Sequence, residues 1–161
     1  MSTLGHALAI AASALEGATD KNGAPTILHC CRVVDRVGAM LHVDDELREP
    51  AMVVAALHDA LEDAPKKFGR YPRRRLVALG FSDAVCYAVL AITRGKREDY
   101  LRDYIPRVCA NRLASLVKLA DLDDNLNRAI EGESAAAYVS LTERYWKARH
   151  MVSAALLTER S

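Results

Sequence analysis

Aromatic residues are scarce in this chain: two Phe, six Tyr and one Trp make up 6% of it. No Val/Ile/Thr run alternates cleanly with polar residues, so almost nothing points to β-strands. The four cysteines, Cys30, Cys31, Cys86 and Cys109, contain no Cys-x-x-Cys pair. A chain of this size needs no disulfide staples, so reduced thiols in a cytoplasmic protein are expected. Neither sign of charge is in surplus, the net value being +1. That argues against a nucleic-acid or membrane-surface partner. No apolar run is long enough to span a membrane. Leu4 to Leu15 imitates a signal peptide, ending in Ala12-Ser13-Ala14, but it has no basic stretch before it and carries His6 within it. It reads as a helix instead.

Apolar residues supply 51% and charged residues 27% of the 161 positions. Such a balance suits one globular domain over residues 1–161, with a sizeable core. Alanine and leucine recur at helical spacing, so the expected fold class is all-α, with about seven to eight helices joined by short loops. The first helix is expected from Thr3 to Gly17 and the second from Thr26 to Met40, separated by the turn Asp20 to Pro25. Asp44-Asp45-Glu46 should open a third, with charge that suits the helix dipole, and Pro65 should close it. Pro72 starts another that Gly80 ends. Ser82 caps one reaching Ile92, and Glu98 to Val108 forms one that Pro106 bends or shortens. Asn111 caps a long helix through Leu126. Gly132 breaks the chain before a terminal helix that starts at Ser134 to Ala137 and ends near Leu157.

The stretch with the most chemistry is Leu57-His58-Asp59-Ala60-Leu61-Glu62-Asp63, at the polar end of the third helix. Residues four apart share a helical face, so His58 should sit over Glu62 and Asp59 over Asp63. One pocket wall could then offer metal ligands beside carboxylates that handle water or protons. The plain alternative is a solvated helix end. Two further residues weigh against it. His29 lies near the start of a buried helix, and Asp121 interrupts the apolar face Leu119-Ala120-Asp121-Leu122. A buried carboxylate is costly unless paired, hydrogen-bonded or bound to metal. The basic segment Lys66 to Arg75 is a second oddity. Arg73, Arg74 and Arg75 fall in a first helical turn, where cations oppose the dipole. It reads either as a solvated turn or as an anion site. His6, His42 and His150 have no companion ligands.

These motifs, in this order, resemble the HD-domain phosphohydrolases, in particular the alarmone-hydrolase branch of the RelA/SpoT type. The resemblance rests on Gly23-Ala24-Pro25-Thr26-Ile27-Leu28-His29, then His58-Asp59 followed by Glu62-Asp63, then Lys118-Leu119-Ala120-Asp121 with Asn125. Ala91-Ile92-Thr93-Arg94, Tyr100 and Tyr104 add to it, and it covers residues 4 to about 150. It implies an HD-type helical bundle in which His29, His58, Asp59 and Asp121 hold one divalent ion. Manganese is usual in that branch, and zinc or iron suit the same ligand types. Glu62 and Asp63 would orient and deprotonate a water. Asn125 and Lys21 would contact the nucleotide, with Arg94 as a phosphate contact. Lys118 would either neutralise phosphate or support Asp121.

The chain departs from the family pattern at three places. Asp20 replaces a basic residue, Thr26 replaces Tyr, and Ala64 replaces Thr. The ligands and catalytic pair are intact while the base-recognition residues differ. The resemblance therefore implies a nucleotide phosphohydrolase, with the 3′-pyrophosphate of guanosine 3′,5′-bis(diphosphate) (ppGpp) as the leading substrate. The partner is a small nucleotide; nucleic acid and membrane are not expected, and a homo-oligomer is left open. Alternatives are a phosphatase for another nucleotide, such as the 2′-phosphate of a nicotinamide dinucleotide or a nucleoside monophosphate, and a non-catalytic metal or nucleotide sensor. Residues 66–75 would be a source of replacement phosphate contacts.

Overall fold

A computed structural model describes residues 3–20, 22–131 and 135–158. Those residues form an all-α fold; their one β-pairing is an isolated bridge between Thr19 and Pro25. Lys21, Gly132 and Ser134 lie outside the described residues. No described helix is long and apolar enough to cross a membrane.

Helix α1, Leu4–Ala14, is capped by Thr3 and buries Ala7, Ala11 and Ala14. It ends three residues before Gly17, which takes a left-handed φ of 77°. The turn that follows is built on Asp20, whose Oδ1 accepts the N–H groups of Asn22 (2.8 Å) and Ala24 (3.1 Å). Helix α2, Thr26–Met40, has the bounds its periodicity predicts and buries His29, Cys30, Val33, Val34 and Val37. Helix α3 is Arg48–Leu57. Its predicted acidic opening instead forms a turn, because Asp45 Oδ1 accepts the Leu47 N–H at 2.8 Å and delays the helix. Ala51 and the whole of Val53 to Leu57 are buried, so α3 is the central element rather than an amphipathic one.

Beyond it come the short helices α4 (Ala60–Asp63), α5 (Pro65–Phe68) and α6 (Pro72–Ala78), then α7 (Asp83–Ile92). Ser82 caps α7 through the Val85 N–H. Asp99 accepts the N–H groups of Leu101 and Arg102 and opens a wide π-type turn, Tyr100–Tyr104. Helix α8, Ile105–Cys109, follows directly. The helix expected over 98–108 is thus shortened, with Pro106 in the first turn of α8, where a proline gives up no intrahelical bond. Asn111 Oδ1 accepts the Ala114 N–H at 3.0 Å and caps α9, Arg112–Glu131. The terminal helix α10 is Ala135–Thr158.

Helix α9 packs on α2, α3, α7, α8 and α10, and α2 packs on α3. Their apolar faces share one core, with Val33, Val54, Leu57, Val89, Ile105, Val117 and Leu122 at no more than 2% exposure. Into that same interior α2 and α9 also send polar side chains: His29, Lys118, Asp121 and Asp124 are buried.

Candidate metal centre and its cavity

A straight helix turns successive side chains about 100° apart, so adjacent residues diverge. At His58 and Asp59 the chain escapes that limit. Helix α3 stops at Leu57, helix α4 begins at Ala60, and the two residues between them form a joint with right-handed backbone angles. The His58 ring turns back, and its Nδ1 donates to the Ala55 carbonyl at 2.7 Å. Its Nε2 then lies 3.2 Å from Asp59 Oδ1. The predicted single helix through Asp63 is thus broken at the residues that carry the chemistry.

Helices α2 and α9 complete the cluster. His29 Nε2 lies 3.3 Å from His58 Nε2, 3.1 Å from Asp121 Oδ1 and 3.7 Å from Asp59 Oδ2. His58 Nε2 lies 3.9 Å from Asp121 Oδ1. Two imidazole nitrogens facing each other at this distance gain nothing from one another as neutral bases. Each ring is also fixed from behind. His29 Nδ1 bonds Asp124 Oδ2 at 2.8 Å, and Asp124 in turn accepts from Arg32 Nε at 3.0 Å. A carboxylate or carbonyl behind each imidazole is the arrangement that orients histidine ligands toward a metal. The buried group His29, His58 and Asp121 can hold a metal ion, their ligand atoms lying within 4.8 Å of one another. Asp59 Oδ1 and Oδ2 reach the same two nitrogens.

Electrostatics agree with the geometry. Burial opposes protonation of His29, yet its bonds to Asp121 and Asp124 and the nearby Asp59 charge push the ring up to about 10. Burial likewise opposes charge on His58, and Asp59, Cys30 and Asp121 push it up to about 9. For Asp121, burial favours the neutral acid, but Lys118, His29 and His58 hold it well below the carboxylate range. The carboxylates therefore demand positive charge at their centre. Proton uptake by the rings is favoured in the free chain, and a divalent cation would supply the charge in its place.

The cluster forms the floor of a cavity of about 440 Å³. Glu62 and Asp63 stand on its wall, and Glu62 Oε2 accepts the Arg94 backbone N–H at 3.1 Å. Burial, with the charges of Asp59 and Glu62, raises the Asp63 carboxyl above its ordinary value. Asn125 lines the cavity too, its Nδ2 donating to Asp121 Oδ1 at 2.6 Å. Lys118 is committed to Asp121, with Nζ 2.7 Å from Oδ2, beneath the rings of Tyr100 and Tyr104. Of its two predicted roles, the contact is the one that supports Asp121. Arg94 lines the cavity as well.

Other cavity residues were not anticipated. Arg144 of α10 stacks on Tyr100, with its guanidinium carbon 4.8 Å from the ring centroid; Arg94 lies 5.5 Å from that ring. The Nε atoms of Arg94 and Arg144 are buried without a hydrogen-bond partner. Arg128 of α9 pairs with Asp20 at 2.7 Å, so a cation reaches the position where the sequence carries an acid. Tyr145, which reads as a packing residue, also lines the cavity. The segment 66–75 contributes no lining residue. Arg73 pairs there with Asp83 at 2.6 Å, while Arg70 and Arg74 lie over Tyr71. The basic turn is thus occupied at the surface, not at the site. His6 stacks on Phe81, and His42 pairs with Asp44 in the open.

No protein-family model matches the chain, and comparison with curated proteins finds no match either.

Proposed function

We propose that the protein is a metal-dependent nucleotide phosphohydrolase. The reading rests on one juxtaposition: four nitrogen and carboxylate ligands converge beside two carboxylates, in a cavity that Arg94, Arg128 and Arg144 also line. His29, His58, Asp59 and Asp121 hold the ion. The donor set is mixed imidazole and carboxylate, which suits manganese, the leading candidate, as well as zinc or iron. A divalent ion there supplies Lewis-acid charge for a phosphoryl oxygen.

The chain's own groups do the rest. Asp63, with its raised proton affinity, accepts a proton from the attacking water. Glu62, held by the Arg94 N–H, orients that water toward phosphorus. The water oxygen forms the new P–O bond as the ester P–O bond breaks, and the leaving oxygen takes up a proton. Lys118 keeps Asp121 ionised and in place. The unpartnered Nε groups of Arg94 and Arg144 bind the substrate's anionic oxygens, where charge-assisted bonds are strongest. Asn125 faces the same cavity and contacts the nucleotide sugar.

The leading substrate is ppGpp, cleaved at its 3′-pyrophosphate, a choice that follows from the motif resemblance. The altered residues Asp20 and Thr26 favour keeping a second substrate class, the 2′-phosphate of a nicotinamide dinucleotide or a nucleoside monophosphate. The test is release of phosphate and pyrophosphate from a panel of these nucleotides, with manganese and with chelator. Manganese-dependent pyrophosphate release from the guanosine alarmones is the expected result. Phosphate release from another member moves the specificity and keeps the chemistry. Silence across the panel with metal bound refutes the enzyme and leaves a sensor.

A further inference from the structure

We propose that Cys30, His58 and Asp59 form a second cation site, overlapping the first and selective for a soft divalent ion such as zinc. The proposal rests on the cation-binding reading of the His/Asp cluster, and not on which phosphate ester is cleaved. Cys30 follows His29 on α2 and is completely buried. A ligand atom from each of Cys30, His58 and Asp59 lies within 4.8 Å of the other two. His58 Nδ1 is held by the Ala55 carbonyl, which leaves Nε2 as the nitrogen able to serve either set.

The two sets differ in chemistry and share two members. His29, His58, Asp59 and Asp121 offer only nitrogen and oxygen, whereas the second set substitutes a thiolate. Thiolate selects zinc and other soft ions over manganese or magnesium. Because His58 and Asp59 belong to both, the sets cannot be filled together. Cys30 does not line the cavity, whereas His29 and Asp121 do. An ion drawn to the sulfur therefore gives up His29 and Asp121, while His58 and Asp59 still face the cavity. The pair of sites is a metal discriminator. Manganese takes the nitrogen-and-oxygen set and zinc is diverted to the set that holds the thiolate.

Cobalt(II), a spectroscopic substitute for zinc, tests this on the full chain. The wild-type protein should show a sulfur-to-cobalt charge-transfer band in the near ultraviolet. Cys30→Ser and Cys30→Ala should lose the band while still binding one cobalt, and Asp121→Ala should retain it. Zinc should then inhibit manganese-supported turnover at least about tenfold more weakly in the Cys30 variants. Stoichiometric cobalt without the band overturns the inference alone. So does a band that survives both Cys30 substitutions. A wild-type chain that binds no cobalt overturns the cation-binding reading along with it.

Discussion

His29 and His58 point their Nε2 atoms at each other across 3.3 Å, and each ring is held from behind by an oxygen. Asp124 holds the first and the Ala55 carbonyl the second. The two rings come from α2 and from the joint after α3, so the packing of those helices sets the gap between them. Leu57, fully buried immediately before His58, is part of that packing.

Asp124 is the clearest test of this support, because it touches His29 and not the cavity. Asp124→Asn keeps the shape and removes the charge. Metal affinity, read by calorimetry, is expected to weaken roughly 10–100-fold, the usual cost of losing a carboxylate behind a ligating histidine. Unchanged affinity would show that His29 needs no such partner.

Glu62→Gln and Asp63→Asn are expected to lower kcat by about 10²–10⁴, the range of general acid–base catalysis. Metal content, measured on the purified variants, should stay at the wild-type level. A variant that loses its metal instead would move that carboxylate into the ligand set.

Arg144→Ala removes a guanidinium that lies over Tyr100 and has a free Nε. KM for the nucleotide should rise about 10–100-fold, corresponding to one charge-assisted hydrogen bond of roughly 1.5–3 kcal/mol. The same variant should bind manganese normally. If KM does not move, Arg144 has no part in substrate binding.

The metal-free protein should lose stability toward alkaline pH. His29 and His58 are raised from 6.5 to about 10 and about 9. Their ion pairs therefore stabilise fully below pH 6.5, and that contribution is lost as pH rises through the folded values. Asp121 and Asp124 are shifted the other way, so their contribution is present above 3.8 and lost as pH falls below it. With chelator, Tm should decline between about pH 7 and 10. With manganese, which displaces both protons, the alkaline decline should flatten. A level Tm in chelator over that range would contradict the charged-ring description.

Much of the site was legible because its members lie on separate helices, each residue conspicuous against an apolar face. Asp121 among Leu119, Ala120 and Leu122 is the plainest case, and α2 has the bounds its periodicity implies. What stayed hidden depends on register and tertiary packing. Asp121, Asp123 and Asp124 lie close together in sequence, and only the packing of α9 on α2 shows that Asp124 meets His29 while Asp123 meets Arg149. The pairing of Arg128 with Asp20 joins distant segments, and no local signal marks it. The joint at His58 and Asp59 carries neither Gly nor Pro, the residues by which chain breaks are usually recognised. Arg144 looks like any solvated helix cation until α10 is laid against Tyr100.

The candidate ligands are spread widely along the chain, with His29 and Asp121 separated by 92 positions. An ion bound to both closes that long loop, which orders the events of the protein's birth. No ribosome-bound fragment that stops short of α9 can assemble the centre. An ion bound across these ligands would act as a clasp on the finished topology. At a free concentration 100 times its Kd, it adds about 2.7 kcal/mol to stability. Metal supply would then govern how long the protein survives as well as how fast it works.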